Sequence, residues 1–286
     1  ARVRRLDRQL AAWSARGGRL VWTVHNVAPH ERRFPAAEDA LADLLAGRSD
    51  LVHVFCDTTV GDVPALAAVP PDRILAVPHA SYVGWYPDSV DPATARGLLG
   101  LPADKVVVGL VGALRPYKGI DTLVDALDEP GLADVHVLVS GRRGRTALPE
   151  LSAQLEAAHA HPRVHVRSGY VPAGELAVHL KACDLAVFPY RRTLSSGAVL
   201  AALSFGTPVV APAQGCIPDA VDESCAQLYD ADRPGAFAEA LAVAVRRLTD
   251  PAARHAARAA ADRRPATAMS QAFLGSVFAG RGTTPG

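Results

Sequence analysis

The sequence predicts an α/β fold with mostly parallel sheets, on three observations. Short apolar, β-branched runs alternate along the chain with helix-like stretches, the pattern of successive βα units. The strand candidates are continuous apolar runs, which suits strands covered on both faces. With 286 residues, 49% hydrophobic and 21% charged, the chain has the size for two such domains and the balance of a globular protein.

The elements follow in order. Arg5–Ala15 reads as a helix, and Leu20–Val24 as the first strand. Helix Ala36–Arg48 leads to strand Leu51–Phe55, and Ile74–Val77 is a third short strand. Tyr82 to Pro102 contains Tyr86-Pro87, Asp91-Pro92 and Gly100-Leu-Pro102, so it reads as a linker. Beyond it come strand Val106–Val111, helix Asp121–Leu127, strand Val135–Ser140, helix Leu148–Ala158, strand Val164–Arg167 and helix Gly174–Lys181. Strand Leu185–Phe188, helix Gly197–Phe205, strands Pro208–Ala211 and Ala226–Tyr229, and helices Pro234–Thr249 and Pro251–Ala261 complete the pattern. The expected division is residues 1–85 as a first Rossmann-like domain, 86–262 as a fuller one, and 263–286 as a tail packing back on the first. The chain opens at Ala1 inside a helical pattern, so part of the first domain is expected to be absent.

A net charge of +1 gives no global field for nucleic acid. No apolar run approaches the ~20 residues of a membrane span. The longest, Val106 to Leu114, is interrupted by Gly109 and Gly112, and no signal-peptide pattern appears. A cytoplasmic protein is expected.

Three groups of residues carry chemistry. Gly112-Ala-Leu-Arg115-Pro-Tyr-Lys118-Gly119 follows a strand and precedes a helix. In open parallel sheets ligands bind at the carboxyl ends of strands, and Arg and Lys there suit phosphate. Ser195-Ser196-Gly197 opens a helix, offering free backbone N–H groups and the positive end of a dipole. The bland alternative is a simple Ser N-cap. His25 and Asn26 end the first strand, followed by His30 and Glu31. A His in that place can hold a sugar hydroxyl or move a proton, and Glu31 could act as a base. Asp230 and Asp232 have the spacing of a metal pair but read as turn residues, and His159 and His161 read as solvated. No metal is expected. Ser195 lacks the Gly-x-Ser-x-Gly setting of a hydrolase nucleophile.

Together these segments resemble the group 1, family-4-like glycosyltransferases of the GT-B fold, which are built from two Rossmann-like domains. Val111-Gly-Ala-Leu-Arg-Pro-Tyr-Lys-Gly119 is similar to that family's Gly-x-x-x-x-x-Lys-Gly loop. Val137-Leu-Val-Ser-Gly141, Gly169-Tyr-Val-Pro172 with Glu175-Leu176, and Phe205-Gly-Thr-Pro-Val-Val-Ala211 with Gly215-Cys-Ile-Pro218 and Asp219-Ala-Val-Asp-Glu223 match later segments in order. Val24-His25-Asn26 and Val77-Pro78-His79 match the amino-terminal half. The resemblance implies a transferase moving a sugar from a nucleoside-diphosphate sugar to an acceptor hydroxyl, without a metal or other cofactor. It places Arg115 and Lys118 on the donor diphosphate. Ser195, Ser196 and Gly197 fall beside the phosphates or sugar, and Gly141 near the base or ribose. His25 is the catalytic candidate beside the transferred sugar, with Asn26, His30 and Glu31 on the acceptor side. The acceptor is expected to be a glycan or lipid-linked, with Arg32, Arg33 and Phe34 making peripheral contact with an anionic membrane.

One departure stands out. The family's two glutamates, eight apart, fall at Thr193 and Ala201 here, and Asp219 replaces a frequent Glu. Two other readings therefore remain: a degenerate protein that binds a nucleotide or glycan without turnover, and a nucleotide-sugar epimerase of the same fold.

Overall fold

A computed structural model describes residues 2–27, 34–144 and 148–278. The chain forms two compact units. Residues 1–79, 193–195 and 266–286 make the first; 80–192 and 196–265 make the second.

In the first unit, β1 (Val21–Thr23), β2 (Leu51–Val54) and β3 (Ile74–Ala76) form a parallel sheet in the order β1-β2-β3. Helices α1 (Arg2–Ser14) and α2 (Pro35–Arg48) pack on each other, with Arg48 paired to Asp7 at 2.7 Å. The one-turn α3 (Thr59–Asp62) follows β2. Val24, Val52, Val54, Val63 and Leu66 form the core, joined by Leu194 from the returning segment.

The second unit opens with α4 (Pro92–Leu98) and β4 (Val107–Val111). Then come α5 (Ile120–Asp125), β5 (His136–Gly141), α6 (Pro149–Ala160), β6 (Val164–Ser168), α7 (Leu176–Lys181) and β7 (Leu185–Val187). Next are α8 (Gly197–Ser204), β8 (Val209–Pro212), β9 (Ala226–Tyr229), α9 (Ala236–Arg247) and α10 (Pro251–Asp262). The final helix, α11 (Ala266–Phe278), belongs to the first unit.

The six strands lie in the order β6-β5-β4-β7-β8-β9, all parallel. This is the doubly wound order, reversing between β4 and β7. Side chains alternate between two cores, as a pleated strand demands. Val108, Leu110, Leu185, Val187 and Val210 meet Leu123, Leu151, Leu155, Phe237 and Leu241 on one face. Val111, Ala186, Val209 and Ala211 meet Leu180, Leu200, Leu203, Ala257 and Ala261 on the other. Burial on both faces explains why the strands read as unbroken apolar runs.

The stretch from Tyr82 to Pro102, expected as a linker, is packed structure within the second unit. The Tyr82 N–H donates to Ser204 Oγ at 2.9 Å, and α4 packs on α7. Asp91 caps α4 by accepting from the Thr94 N–H at 3.0 Å, and Pro92 takes the first helical position, where its missing N–H costs nothing. A clasp secures the base of the unit: Asp184 pairs with Arg96, and its Oδ2 accepts the Val107 N–H at 2.9 Å.

Candidate functional site

The strand order dictates where a ligand can sit in the second unit. At the reversal between β4 and β7 the chain connections lead to opposite faces of the sheet, and the carboxyl ends of the strands there are where open parallel sheets bind ligands. The loop after β4 carries Arg115 and Lys118; the loop after β7 carries Tyr190 and leads to Ser196.

The first loop is shaped by two glycines. Gly119 has φ +69°, and a Cβ there would collide with the Pro189 carbonyl oxygen, so the loops after β4 and β7 meet backbone to backbone. Gly141, at the end of β5 with φ +146°, lies so close to Gly112 that a Cβ would strike the Gly112 carbonyl. Behind it, buried Ser140 and His179 are hydrogen-bonded at 2.8 Å, and burial pushes the His179 imidazole below its ordinary pKa. Arg191 fastens the second loop: its N–H donates to Tyr117 O at 3.1 Å, and its guanidinium pairs with Asp121 at 2.6 Å and Glu150 at 2.8 Å.

Lys118 is the unusual group. It is only 6% exposed, and among the described residues no carboxylate pairs with it. Burial, and Arg115 to a lesser degree, push its pKa below the ordinary lysine value. Its Nζ stands 5.5 Å from the centre of the Tyr190 ring and 3.3 Å from where a Cβ on Gly112 would lie. A buried charge normally keeps a partner. Arg115 is half-buried, packs along the Gly144 backbone, and donates to the Leu114 carbonyl at 3.3 Å.

Ser196 caps α8, its Oγ accepting the Val199 N–H at 3.2 Å. Capping by Ser196 consumes one N–H; the others of the first turn remain for an anion. A Cβ at Gly197 would come within 2.8 Å of the Tyr82 hydroxyl, so the start of α8 lies close against that side chain.

Arg115, Lys118, Gly141, Ser196 and Gly197 thus all stand in the second unit. Ser195 does not join them. It belongs to the first unit, where its Oγ donates to the His25 carbonyl at 3.2 Å and its own carbonyl accepts from Thr193 Oγ1 at 3.2 Å. His25 and Asn26 are exposed beyond the end of β1. The His25 ring lies 5.3 Å from that of Phe55, which lies 5.0 Å from His79 and 4.9 Å from His53. His53 is buried and held on both sides: Nε2 donates to Val77 O at 2.9 Å, and Nδ1 accepts from Thr23 Oγ1 at 3.2 Å. Burial pushes its pKa down, which favours the neutral ring. His30, Glu31, Arg32 and Arg33 lie outside the described residues.

Asp230 is a turn residue, accepting the Asp232 N–H at 3.0 Å. No group of three metal-ligating side chains occurs among the described residues. Sequence reasoning missed Tyr190. A tyrosine ending a strand reads as core, and only its place between a cationic loop and a serine turn could have marked it.

The family model for glycosyl transferases group 1 matches residues 105–247, half of the chain. A GDP-mannose:glycolipid 4-beta-D-mannosyltransferase of Xanthomonas campestris pv. campestris is 31% identical over 224 residues, covering 76% of this chain and 57% of that protein. A D-inositol 3-phosphate glycosyltransferase of Corynebacterium efficiens is 29% identical over 242 residues, covering 78% and 56%. The chain thus spans little more than half the length of these relatives. Among solved structures, HepE of Anabaena in complex with UDP and glucose aligns with TM-score 0.74 at 19% identity, covering 95% of this chain and 74% of that one. WaaG, a glycosyltransferase involved in lipopolysaccharide biosynthesis, aligns with TM-score 0.68 at 19% identity, covering 92% and 75%. At such identities the likeness shows the fold alone.

Proposed function

We propose that this chain, which belongs to the group 1 glycosyl transferases and has their GT-B type fold, moves a sugar from a nucleoside-diphosphate sugar to an acceptor hydroxyl. Lys118, Arg115 and the amino terminus of α8 receive the diphosphate. As the bond from the anomeric carbon to the diphosphate oxygen breaks, negative charge grows on the leaving group. A fixed ammonium, a guanidinium and backbone N–H groups stabilise that charge without reorganising, which lowers the barrier. The acceptor oxygen bonds the anomeric carbon and loses its proton. With this much positive charge in place, the step needs no metal.

One observation carries the reading: Lys118 is buried at the strand-order reversal and meets no carboxylate among the described residues. An anionic ligand completes it. The nucleotide-sugar class is supported by the bound UDP and glucose of HepE and by the GDP-mannose in the name of the Xanthomonas relative. That relative's name also supports a glycan or lipid-linked acceptor. No helix among the described residues is long and apolar enough to cross a membrane. His25 remains the proposed catalytic group on the first unit. His25→Ala should lower turnover while leaving the affinity for nucleoside diphosphate unchanged.

The test is transfer of radiolabelled sugar from a panel of UDP-, GDP-, ADP- and dTDP-sugars to a lipid or glycan extract. Product that requires both donor and acceptor supports the reading. Thr193 and Ala201, which put no acid near this helix, favour a non-catalytic binding protein as the second reading. Tight nucleotide binding with no turnover of any donor would establish it. Product from donor alone would indicate an epimerase.

A further inference from the structure

Lys118 sits on the loop after β4, and the loop after β7 sets one side chain against it. Tyr190 is buried, and its ring stands 5.5 Å from Lys118 Nζ. Aromatic neighbours fix the ring edge-on: Phe188 at 5.5 Å and Tyr117 at 5.9 Å. Tyr229 Oη holds the strand end by donating to Phe188 O at 3.0 Å.

Neither segment supplies an acid. Val106 to Ile120 and Leu185 to Pro218 contain no Asp or Glu. The electron-rich groups set against the ammonium are the Tyr190 ring and the Tyr117 phenol, with the Arg115 guanidinium opposing the charge. This difference is chemical. A carboxylate would cancel the lysine's charge and compete with phosphate. A ring has a quadrupole but no net charge, so it steadies the ammonium and leaves the full positive charge for a ligand. The attraction is strongest away from water, where Lys118 lies.

We propose that Tyr190 is a positioning residue of the anion seat: its ring keeps Lys118 charged and in place. The inference rests on the diphosphate reading of this site for its consequence, though not for its first test.

That test uses the lysine content. The chain has three lysines, Lys105, Lys118 and Lys181, so lysine labelled with ¹³C at Cε gives a resolvable NMR titration. Tyr190→Phe keeps the ring and should leave the Lys118 midpoint in place. Tyr190→Leu should move it to lower pH by about one pH unit. Pentafluorophenylalanine at position 190 keeps the shape and reverses the quadrupole, so it should act like Leu even if the Leu variant folds poorly. An unmoved midpoint with the fluorinated ring, or equal shifts in Phe and fluorinated variants, overturns the proposal. In calorimetry with UDP, GDP and ADP, Tyr190→Phe keeps the ring and should bind within about threefold of the unaltered protein. Tyr190→Leu should weaken it roughly thirtyfold, with the alkaline fall in affinity starting at lower pH. Equal losses in both variants, with no change of pH profile, would mark Tyr190 as merely structural. If none of the three nucleotides binds the unaltered protein, the diphosphate reading fails, while the lysine titration still decides the role of Tyr190.

Discussion

Replacing Lys118 with Met should damage binding and improve folding at once. Met keeps nearly the same length and volume but removes the charge. For binding, a phosphate oxygen taking a hydrogen bond from an ammonium gains about 1.5–3 kcal/mol net. The Coulomb attraction at 4 Å is about 4 kcal/mol at an effective dielectric constant of ~20, before desolvation is subtracted. A loss of about 2–3 kcal/mol follows, or roughly 30- to 150-fold in the dissociation constant of a nucleoside diphosphate. For folding, the sign reverses. Lys118 is 6% exposed and has no carboxylate among the described residues, so its burial is a cost the empty protein carries. Removing that cost should stabilise the second unit by about 1–2 kcal/mol. The pH dependence checks the cause. The folded pKa of Lys118 lies below its unfolded value. Between the two, the unfolded chain binds a proton that the folded chain does not, so the unaltered protein gains stability as pH rises through that window. The advantage of the Met variant should be fully present below the folded pKa of Lys118 and vanish above the ordinary lysine pKa. Calorimetry with UDP, GDP and ADP measures the first effect, and denaturant unfolding at several pH values the second. A Met variant that is less stable, or that binds nucleotide as well as the parent, would falsify this account of the site.

Three further outcomes are expected. Gly119→Ala strains a φ of +69° and pushes a Cβ into the Pro189 carbonyl. It should cost at least about 2 kcal/mol of stability in denaturant unfolding and weaken nucleotide binding with it. Ser196→Ala removes the cap on Val199 N–H. About 1 kcal/mol of stability should be lost, together with a several-fold loss of diphosphate affinity; an unchanged affinity would remove α8 from the site. Binding and sugar transfer should survive EDTA, because the charge facing the diphosphate comes from side chains and a helix terminus. Loss with EDTA and rescue by Mn²⁺ would bring Asp230 and Asp232 back as ligands.

Much of the fold is legible in the sequence, for a physical reason. The central strands β4, β7 and β8 are short apolar runs buried along their whole length, with no polar residue to blur the pattern. α4 was hidden by its prolines, although Asp91-Pro92 is a helix start as well as a turn signal. α11 was hidden because Ala266–Phe278 carries no charged face to reveal a period. In the site, Arg115 and Lys118 are legible because cations between glycines at a strand end have few structural uses. Tyr190 is not, since its role depends on Lys118, 72 positions away, which only the strand order brings near. Ser195 and Ser196 show the limit most sharply. Adjacent in sequence, they bond to different units, one to His25 and the other to Val199.

The central claim is that a single diphosphate satisfies Lys118. The most direct measurement is a crystal structure of the protein with UDP, GDP or ADP, whichever binds best. Phosphate oxygens within hydrogen-bonding distance of Lys118 Nζ and of the first N–H groups of α8 are the predicted result. A nucleotide seated elsewhere, or one whose phosphates leave Lys118 without a partner, would contradict it.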